Sequence, residues 1–248
     1  MKVIILLAGY ATRMYPLTEN QPKALLPLRG KPVIDYIIDQ INRLPDVDTI
    51  YAVTNSKFFP HFTKWALTAP TDIPIEVLDD GTTTNENRRG AVGDIHFTIT
   101  EKNIDDDLFV VAGDNFFTYD LLEQYNLFRE KNCDTIAGKV LNDIEMLKAF
   151  AVAKLDENGK VLDLVEKPLV PQSNIAIYAT YFYLADTVKL FTQYLEEGNN
   201  PDPPGSFPQW LHKIKDVYTY KMDGDCYDIG TIEMYNQMNQ IEIDGEDA

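Results

Sequence analysis

Apolar and polar positions along the 248-residue chain follow two patterns. Short continuous apolar runs at Val3 to Leu7, Thr49 to Thr54 and Leu108 to Ala112 have the length and composition of strands buried on both faces. Between them, residues 31–44 place Val33, Ile34, Ile37, Ile38, Ile41 and Leu44 at helical spacing, which gives one apolar stripe. Further helices are expected at Phe59 to Leu67, Ala91 to Thr100 and Leu121 to Lys131, with strands at Ile75 to Leu78 and Thr135 to Val140. Strands alternating with helices build an α/β fold, a mostly parallel sheet covered on both faces. The second half differs. Phe150 to Leu155 and Val161 to Val165 flank Asp156-Glu157-Asn158-Gly159, a hairpin signal that predicts antiparallel pairing. An aromatic-rich strand at Ile175 to Leu184, a helix at Thr187 to Leu195 and an irregular loop at 199–205 come next. A short helix at Pro208 to Ile214, a strand at Val217 to Met222, a closing helix at Ile232 to Ile241 and a frayed acidic tail from Asp244 to Ala248 complete the expectation.

The first strand empties into Ala8-Gly9-Tyr10-Ala11-Thr12-Arg13, and Pro22-Lys23 follows closely. Small residues let backbone N–H groups approach an anion, because there is no bulk to hold phosphate oxygens away. Arginine grips phosphate with a two-pronged guanidinium while lysine acts as a mobile point charge, so Arg13 and Lys23 together suit a polyphosphate. Pro16, Pro22 and Pro27 stiffen the stretch. A surface loop with incidental basic residues is the plainer reading.

Charge sharpens this picture. The chain carries a formal net charge of −17, which argues against a nucleic-acid partner. Residues 1–34 nonetheless hold Lys2, Arg13, Lys23, Arg29 and Lys31 against Glu19 alone, so an acidic protein is expected to focus a small anion at one cationic cleft. No apolar stretch reaches the roughly 18 residues of a membrane helix, so no membrane partner is expected. The start lacks a signal-peptide cleavage site and already belongs to the first strand, and Cys133 and Cys226 lack metal-ligand spacing. A cytoplasmic location with reduced cysteines is the expectation.

Two strand ends add acids. Ligands of open α/β sheets collect beyond the carboxyl ends of strands, so Asp114 in Gly113-Asp114-Asn115 is expected near the Arg13 loop, where a hard carboxylate oxygen suits Mg²⁺. An aspartate there serves equally well as a turn former or helix cap. Asp228 in Asp228-Ile229-Gly230-Thr231 either folds back beside Asp114 or turns the chain into the last helix with Thr231 as N-cap. Glu166-Lys167-Pro168, taken alone, reads as a solvated strand end.

The run from Leu7-Ala8-Gly9 through Thr12-Arg13-Met14-Tyr15-Pro16-Leu17-Thr18 to Pro22-Lys23 and Leu26-Pro27 resembles the signature of the sugar-1-phosphate nucleotidylyltransferases, including those that use thymidine and uridine nucleotides. The resemblance extends through Gly113-Asp114, Glu166-Lys167-Pro168 and Asp228-Ile229-Gly230-Thr231 and covers nearly the whole chain. Leu7 stands where the family usually has Ala or Gly, Ala11 where it has Gly, and Ala151 in Phe150-Ala151-Val152 where Tyr-Gly-Val is common. The resemblance implies a Rossmann-like three-layer α/β/α fold with a smaller antiparallel sugar-binding lobe, forming one catalytic domain over 1–248. Within it, about 1–140 would bind nucleotide, 141–230 the sugar phosphate, and 231–248 would close the chain with no appended repeat domain.

It further implies Mg²⁺-dependent transfer of a nucleotidyl group from a nucleoside triphosphate to a sugar 1-phosphate, with release of pyrophosphate. The first expectation is dTTP or UTP with a glucose-like sugar, guanosine and cytidine nucleotides remaining open, as does a homo-oligomer. Arg13 and Lys23 are assigned to the triphosphate and catalysis, with Leu7, Ala8, Gly9, Tyr10, Ala11, Thr12 and Gly90 lining the nucleotide site. Asp114 and Asp228 are assigned to the metal. Lys167 is assigned to the sugar phosphate, Glu166 to sugar hydroxyls, Tyr181 to a flat face against the ligand, and Ala151 to a backbone contact. Gly90, in the polar stretch 79–91, is expected to let the backbone meet the base. A metal-dependent glycosyltransferase would not need Arg13 and Lys23 around a pyrophosphate, and a dinucleotide-dependent dehydrogenase would need Gly-x-Gly-x-x-Gly, which the loop lacks. A silent sugar-nucleotide-binding regulatory subunit keeps the same fold and is separated from the enzyme by pyrophosphate release.

Overall fold

A computed structural model describes residues 1–240, so the expected tail and the last residue of the closing helix lie outside the described residues. Strand β1 (Lys2–Leu6) is central because both of its faces are apolar. Val3 and Ile5 pack into one core and Ile4 into the other. A short hairpin of β2 (Pro27–Leu28) and β3 (Lys31–Pro32) leads into α1 (Val33–Ile41), whose expected stripe of Val33, Ile34, Ile37, Ile38 and Ile41 is buried. Strand β4 (Thr49–Thr54) pairs parallel to β1, and after α2 (Phe59–Ala66), β5 (Ile75–Asp79) pairs parallel to β4. Helix α3 (Ala91–Lys102) then carries the chain back to β6 (Leu108–Ala112), parallel to β1 on its other side. Next come β7 (Asn115–Phe117), α4 (Leu121–Lys131) and β8 (Asp134–Val140).

The remaining elements are α5 (Ile144–Leu147), β9 (Ala151–Leu155), β10 (Val161–Glu166), β11 (Ile175–Tyr183), α6 (Ala185–Val188), α7 (Leu190–Glu196), α8 (Ser206–Leu211), β12 (Val217–Lys221), β13 (Cys226–Asp228) and α9 (Ile232–Gln240). The main sheet runs β10-β9-β11-β6-β1-β4-β5, with β8 joining β11 to β12. Its central strands are parallel, whereas β9, β10 and β11 are antiparallel neighbours, as the hairpin signal predicts. Asp156 closes that hairpin by accepting from Asn158 N and Lys160 N, and Gly159 takes the positive φ of 84° the turn needs. One apolar layer is built from α1, α2 and α4 and the other from α3, α7 and α8, which gives three layers. The helix expected over Thr187 to Leu195 is instead two, α6 and α7, meeting at Lys189. The two-stranded sheet of β7 and β13 was not expected, because three residues a side are too few to show a period of two.

Register places Leu6 beside Val53 and Ala112, and Thr54 beside Asp79, so the chain leaves all four parallel strands at one edge. Asp80 and its loop therefore lie to one side of β1 and Gly113-Asp114 to the other.

Candidate active site

Beyond β1 the chain stays bound to its neighbour before it turns out. Leu7 N donates to Val53 O at 2.8 Å, Thr54 Oγ1 to Leu7 O at 3.3 Å, and the buried Asn55 amide to Ala8 O at 2.9 Å. Gly9 is exposed, and a Cβ there would meet nothing within 4 Å, so its backbone borders open space. Ala11 takes a left-handed conformation, φ 49° and ψ 40°, and its carbonyl accepts from Met14 N at 2.9 Å and Thr18 Oγ1 at 2.7 Å. Met14 is fully buried and anchors this turn, which leaves the neighbouring Arg13 exposed. Among the described residues no carboxylate pairs with Arg13.

Lys23 sits on a short helical turn after Pro22, and its ammonium lies 2.5 Å from Asp114 Oδ2. A Cβ on Gly113 would lie 2.2 Å from Leu7 Cδ2. Leu7, large for its place in the resemblance, thus packs over the glycine that precedes Asp114. Backbone pairing returns β13 alongside, with Asp228 opposite Asn115 and Ile229 N donating to Asp114 O at 3.4 Å. The Asp228 side chain lies outside the described residues.

Leu7, Ala8, Gly9, Tyr10, Ala11, Thr12, Arg13, Lys23, Gly90 and Asp114 line one cleft of about 590 Å³. Such a volume suits a nucleotide-sized ligand. Asp114 meets the chemistry Mg²⁺ requires: a hard carboxylate, one-third exposed, facing room for waters and phosphate oxygens. Of the five cations near the start, only Arg13 and Lys23 reach the cleft. Lys2 pairs with Asp48, Lys31 with Asp39, and Arg29 donates to Met238 O at 3.2 Å. The expected basic region is therefore two cleft cations plus three elsewhere, because sequence neighbours fan out once the chain turns.

The residues assigned to the sugar do not line this cleft; the 199–205 loop does, through Asp202 and Pro204. Gly205 lies against Glu166 and Ala151, with a hypothetical Cβ at 2.1 Å from Glu166 Oε2 and 3.0 Å from Ala151 Cβ. Burial pushes the Glu166 carboxyl up, partly offset by Lys167, whose ammonium is 3.8 Å away and exposed. Lys167 holds a left-handed backbone, φ 46°. Tyr181 is 2% exposed toward the end of β11, between β6 and β8 and stacked on Tyr183. The expectation of an aromatic face offered to a ligand fails there, because both faces of an interior strand are covered. Ala151 is likewise buried in β9. Gly90 has φ 82°, and a Cβ on it would lie 2.5 Å from Asp202 Cα. The close neighbour that requires glycine is thus the chain's own loop.

Two acids that sequence reading did not single out lie on the β5 side of β1, and of these Asp94 lines the cleft. Asp80, 1% exposed, accepts from Thr82 N at 2.7 Å and Thr82 Oγ1 at 3.0 Å. Asp94, on the first turn of α3, lines the cleft at 4% exposure, and its Oδ1 has no hydrogen-bond partner in the protein. Burial pushes its carboxyl up to about 8, and Asp80 adds to the shift by charge and by sharing a hydrogen bond.

The sequence profile described as nucleotidyl transferase matches residues 2–244. A protein of Sulfolobus acidocaldarius provisionally named a mannose-1-phosphate guanyltransferase is 31% identical over 186 residues, covering 74% of this chain and 48% of that one. The bifunctional protein GlmU of Methanocaldococcus jannaschii is 29% identical over 239 residues, 93% of this chain and 51% of that one. The chain spans about half the length of these curated relatives. A solved UDP-glucose pyrophosphorylase complexed with UDP-glucose shares the fold at TM-score 0.79, with 22% identity and 96% of both chains covered. With the profile matched from the second residue into the acidic tail, the chain belongs to the nucleotidyl transferase family.

Proposed function

We propose that this chain transfers a nucleotidyl group from a nucleoside triphosphate to a sugar 1-phosphate and releases pyrophosphate. The observation that carries this reading is the convergence of Arg13, Lys23 and Asp114 on one cleft. A phosphate monoester has a second pKa of about 6, so the sugar phosphate is largely a dianion at neutral pH and needs no general base. Its oxygen attacks the α-phosphorus in line, the bond from that phosphorus to the bridging oxygen breaks, and pyrophosphate leaves with the electron pair. The protein's task is to hold two repelling anions together and to stabilise charge as it shifts toward the leaving group.

Arg13 grips the pyrophosphate portion and Lys23 the triphosphate. Asp114 and Asp228 are the residues that would hold Mg²⁺, which supplies positive charge at the phosphates when bound. Residues of about 1–140 serve the nucleotide and 141–230 the sugar phosphate, with Glu166 against Gly205 of the 199–205 loop and Lys167 beside it in the chain. The first substrate guess is dTTP or UTP with a glucose-like sugar.

The test is pyrophosphate release from each triphosphate mixed with a panel of sugar 1-phosphates and Mg²⁺. Arg13→Ala is expected to lower kcat by about 100-fold or more. Thermal stability should barely change, since the side chain is exposed. Near-normal turnover of Arg13→Ala at saturating substrate overturns the assignment, and absence of pyrophosphate across the whole panel overturns the reaction.

A further inference from the structure

We infer that Met238 of α9 is a positioning residue for the transfer: it closes a small core that fixes Arg13 and Lys23 against Asp114 and Asp228. The inference deepens the proposed reaction and rests on its assignment of these four residues. They come from four separate stretches of the chain, and none of them lies in the main sheet. The ladder that aligns the strands therefore ends before the site begins.

A third core takes over beyond that edge. Met14, Leu26, Phe116, Ile229 and Met238 are buried together there, each at 5% exposure or less. Met14 adjoins Arg13, and Leu26 closes the helical turn that Lys23 begins, its N–H donating to Lys23 O at 3.0 Å. Phe116 lies two residues past Asp114 on β7, and Ile229 follows Asp228. One apolar cluster thus holds a near neighbour of every group assigned to the phosphates and the metal. Because interiors are close-packed, the spacing of those groups becomes a property of the cluster.

Met238 is the one of these five whose own chain segment supplies none of the assigned groups. The helix that carries it is pinned to the β2–β3 hairpin. Arg29 donates through Nε and Nη2 to Met238 O, both at 3.2 Å, Arg29 N donates to Asn239 Oδ1 at 3.0 Å, and Tyr235 Oη donates to Pro27 O at 2.5 Å. Arg29, a cation that the cleft does not use, thereby ties the carbonyl end of α9, where partial negative charge collects, to the hairpin that runs between Lys23 and α1. At 1% exposure Met238 acts through its volume. A flexible thioether fills the irregular space where turns, a strand pair and a helix meet.

Removing that volume lets the four groups relax apart without touching any of them. Arg13 is the most sensitive, because its turn is anchored through the buried Met14 and the guanidinium itself is exposed. In-line transfer depends steeply on placement, a shift of about 1 Å costing about 100-fold. The loss should appear in phosphate binding and in kcat, while the opposite edge of the sheet stays as it is.

The experiment measures equilibrium binding of inorganic tripolyphosphate with Mg²⁺ to the full chain, a probe that needs neither a base nor turnover, beside kcat for pyrophosphate release. Wild type, Met238→Ala, Met238→Leu and Leu44→Ala are compared at a temperature where all are folded. Leu44, 4% exposed, belongs to the first core and precedes β4 at the edge of the sheet away from the cleft, so it reports the effect of a cavity as such. Met238→Ala should bind the probe about tenfold more weakly and lose about 100-fold in kcat. Met238→Leu keeps the volume and should restore both to within about twofold of wild type. Leu44→Ala should match wild type in both while losing thermal stability as Met238→Ala does. Unchanged probe binding in Met238→Ala, failure of Met238→Leu to restore it, an equal loss in Leu44→Ala, or a wild type that does not bind the probe each overturns the inference. Should Met238→Ala fail to fold, the smaller deletion Met238→Val decides by the same comparison. Probe binding that tracks Met238, with no pyrophosphate from any sugar, removes the reaction and leaves the brace. Pyrophosphate release by wild type, with probe binding untouched in Met238→Ala, removes the brace and leaves the reaction.

Discussion

The backbone at Ala11 sits where an L-residue pays about 1–2 kcal/mol for left-handed geometry, and glycine pays nothing. Two hydrogen bonds to its carbonyl, from Met14 N and Thr18 Oγ1, and the buried Met14 side chain that anchors the turn hold it there. Ala11→Gly removes the strain but loosens the unfolded chain by about 0.4–1 kcal/mol, so urea unfolding should show no loss and at most a gain of about 1.6 kcal/mol. Ala11→Val should lose more than about 1 kcal/mol, because a β-branched side chain is poorly tolerated at this φ. A second stability change belongs to Asp94. Its carboxyl titrates near 8 when folded and near 3.8 when not, so the folded state holds the extra proton and stability falls as pH rises between these values. Asp94→Asn should therefore match wild type in thermal melts at pH below 3.8 and become progressively more stable than it up to about 8. The strand-end positions of Gly9, Arg13 and Asp114 were legible in the sequence, because β1 and β6 announce themselves as apolar runs that stop at small or acidic residues. Asp94 was not, because within an amphipathic helix an acid normally reads as the solvated face.

The 199–205 loop and the start of α3 form a clasp across the cleft. Two interactions hold it, and their magnitudes differ. The Arg88–Asp202 pair is bidentate but its side chains are 42% and 45% exposed, so it contributes less than about 1 kcal/mol. The backbone contacts matter more: the N–H groups of Ala91, Val92 and Gly93 have no helical partner and are satisfied by the loop carbonyls, while Gly90 leaves no room for a Cβ. Gly90→Ala is accordingly expected to destabilise by about 1–3 kcal/mol in denaturant unfolding and to expose 199–205 to limited proteolysis. Asp202→Asn should cost less than about 1 kcal/mol by the same measurement. The loop was recognisable from Asn199-Asn200-Pro201-Asp202-Pro203-Pro204-Gly205 as irregular, yet nothing in that run names its docking partner a hundred residues earlier.

The whole chain is strongly acidic, whereas the cleft balances Arg13, Lys23 and Arg88 against Asp94, Asp114 and Asp202. With a net charge of −17, long-range repulsion of a triphosphate opposes the attraction of Arg13 and Lys23, and salt screens the former over distances beyond about 10 Å. Screening also weakens the exposed Arg13 more than the Lys23–Asp114 pair, whose lysine is 12% exposed. Triphosphate affinity should fall severalfold as ionic strength rises, and the slope should flatten in Arg13→Ala. A salt-independent affinity in wild type would remove the focusing role of the loop.

Most strand and helix identities, the parallel core, the antiparallel second half and the turn after β1 were determined by the sequence itself, since each depends on local periodicity, turn chemistry or a contiguous motif. Tertiary structure decided the rest. It buried Tyr181 between β6 and β8, sent Lys2, Arg29 and Lys31 away from the cleft, brought Asp80 and Asp94 together, and laid Gly205 against Glu166. These depend on which strands become neighbours across the sheet and which loops cross its edge. Such contacts join residues far apart in the chain, and the pattern around any one of them carries no trace of its partner.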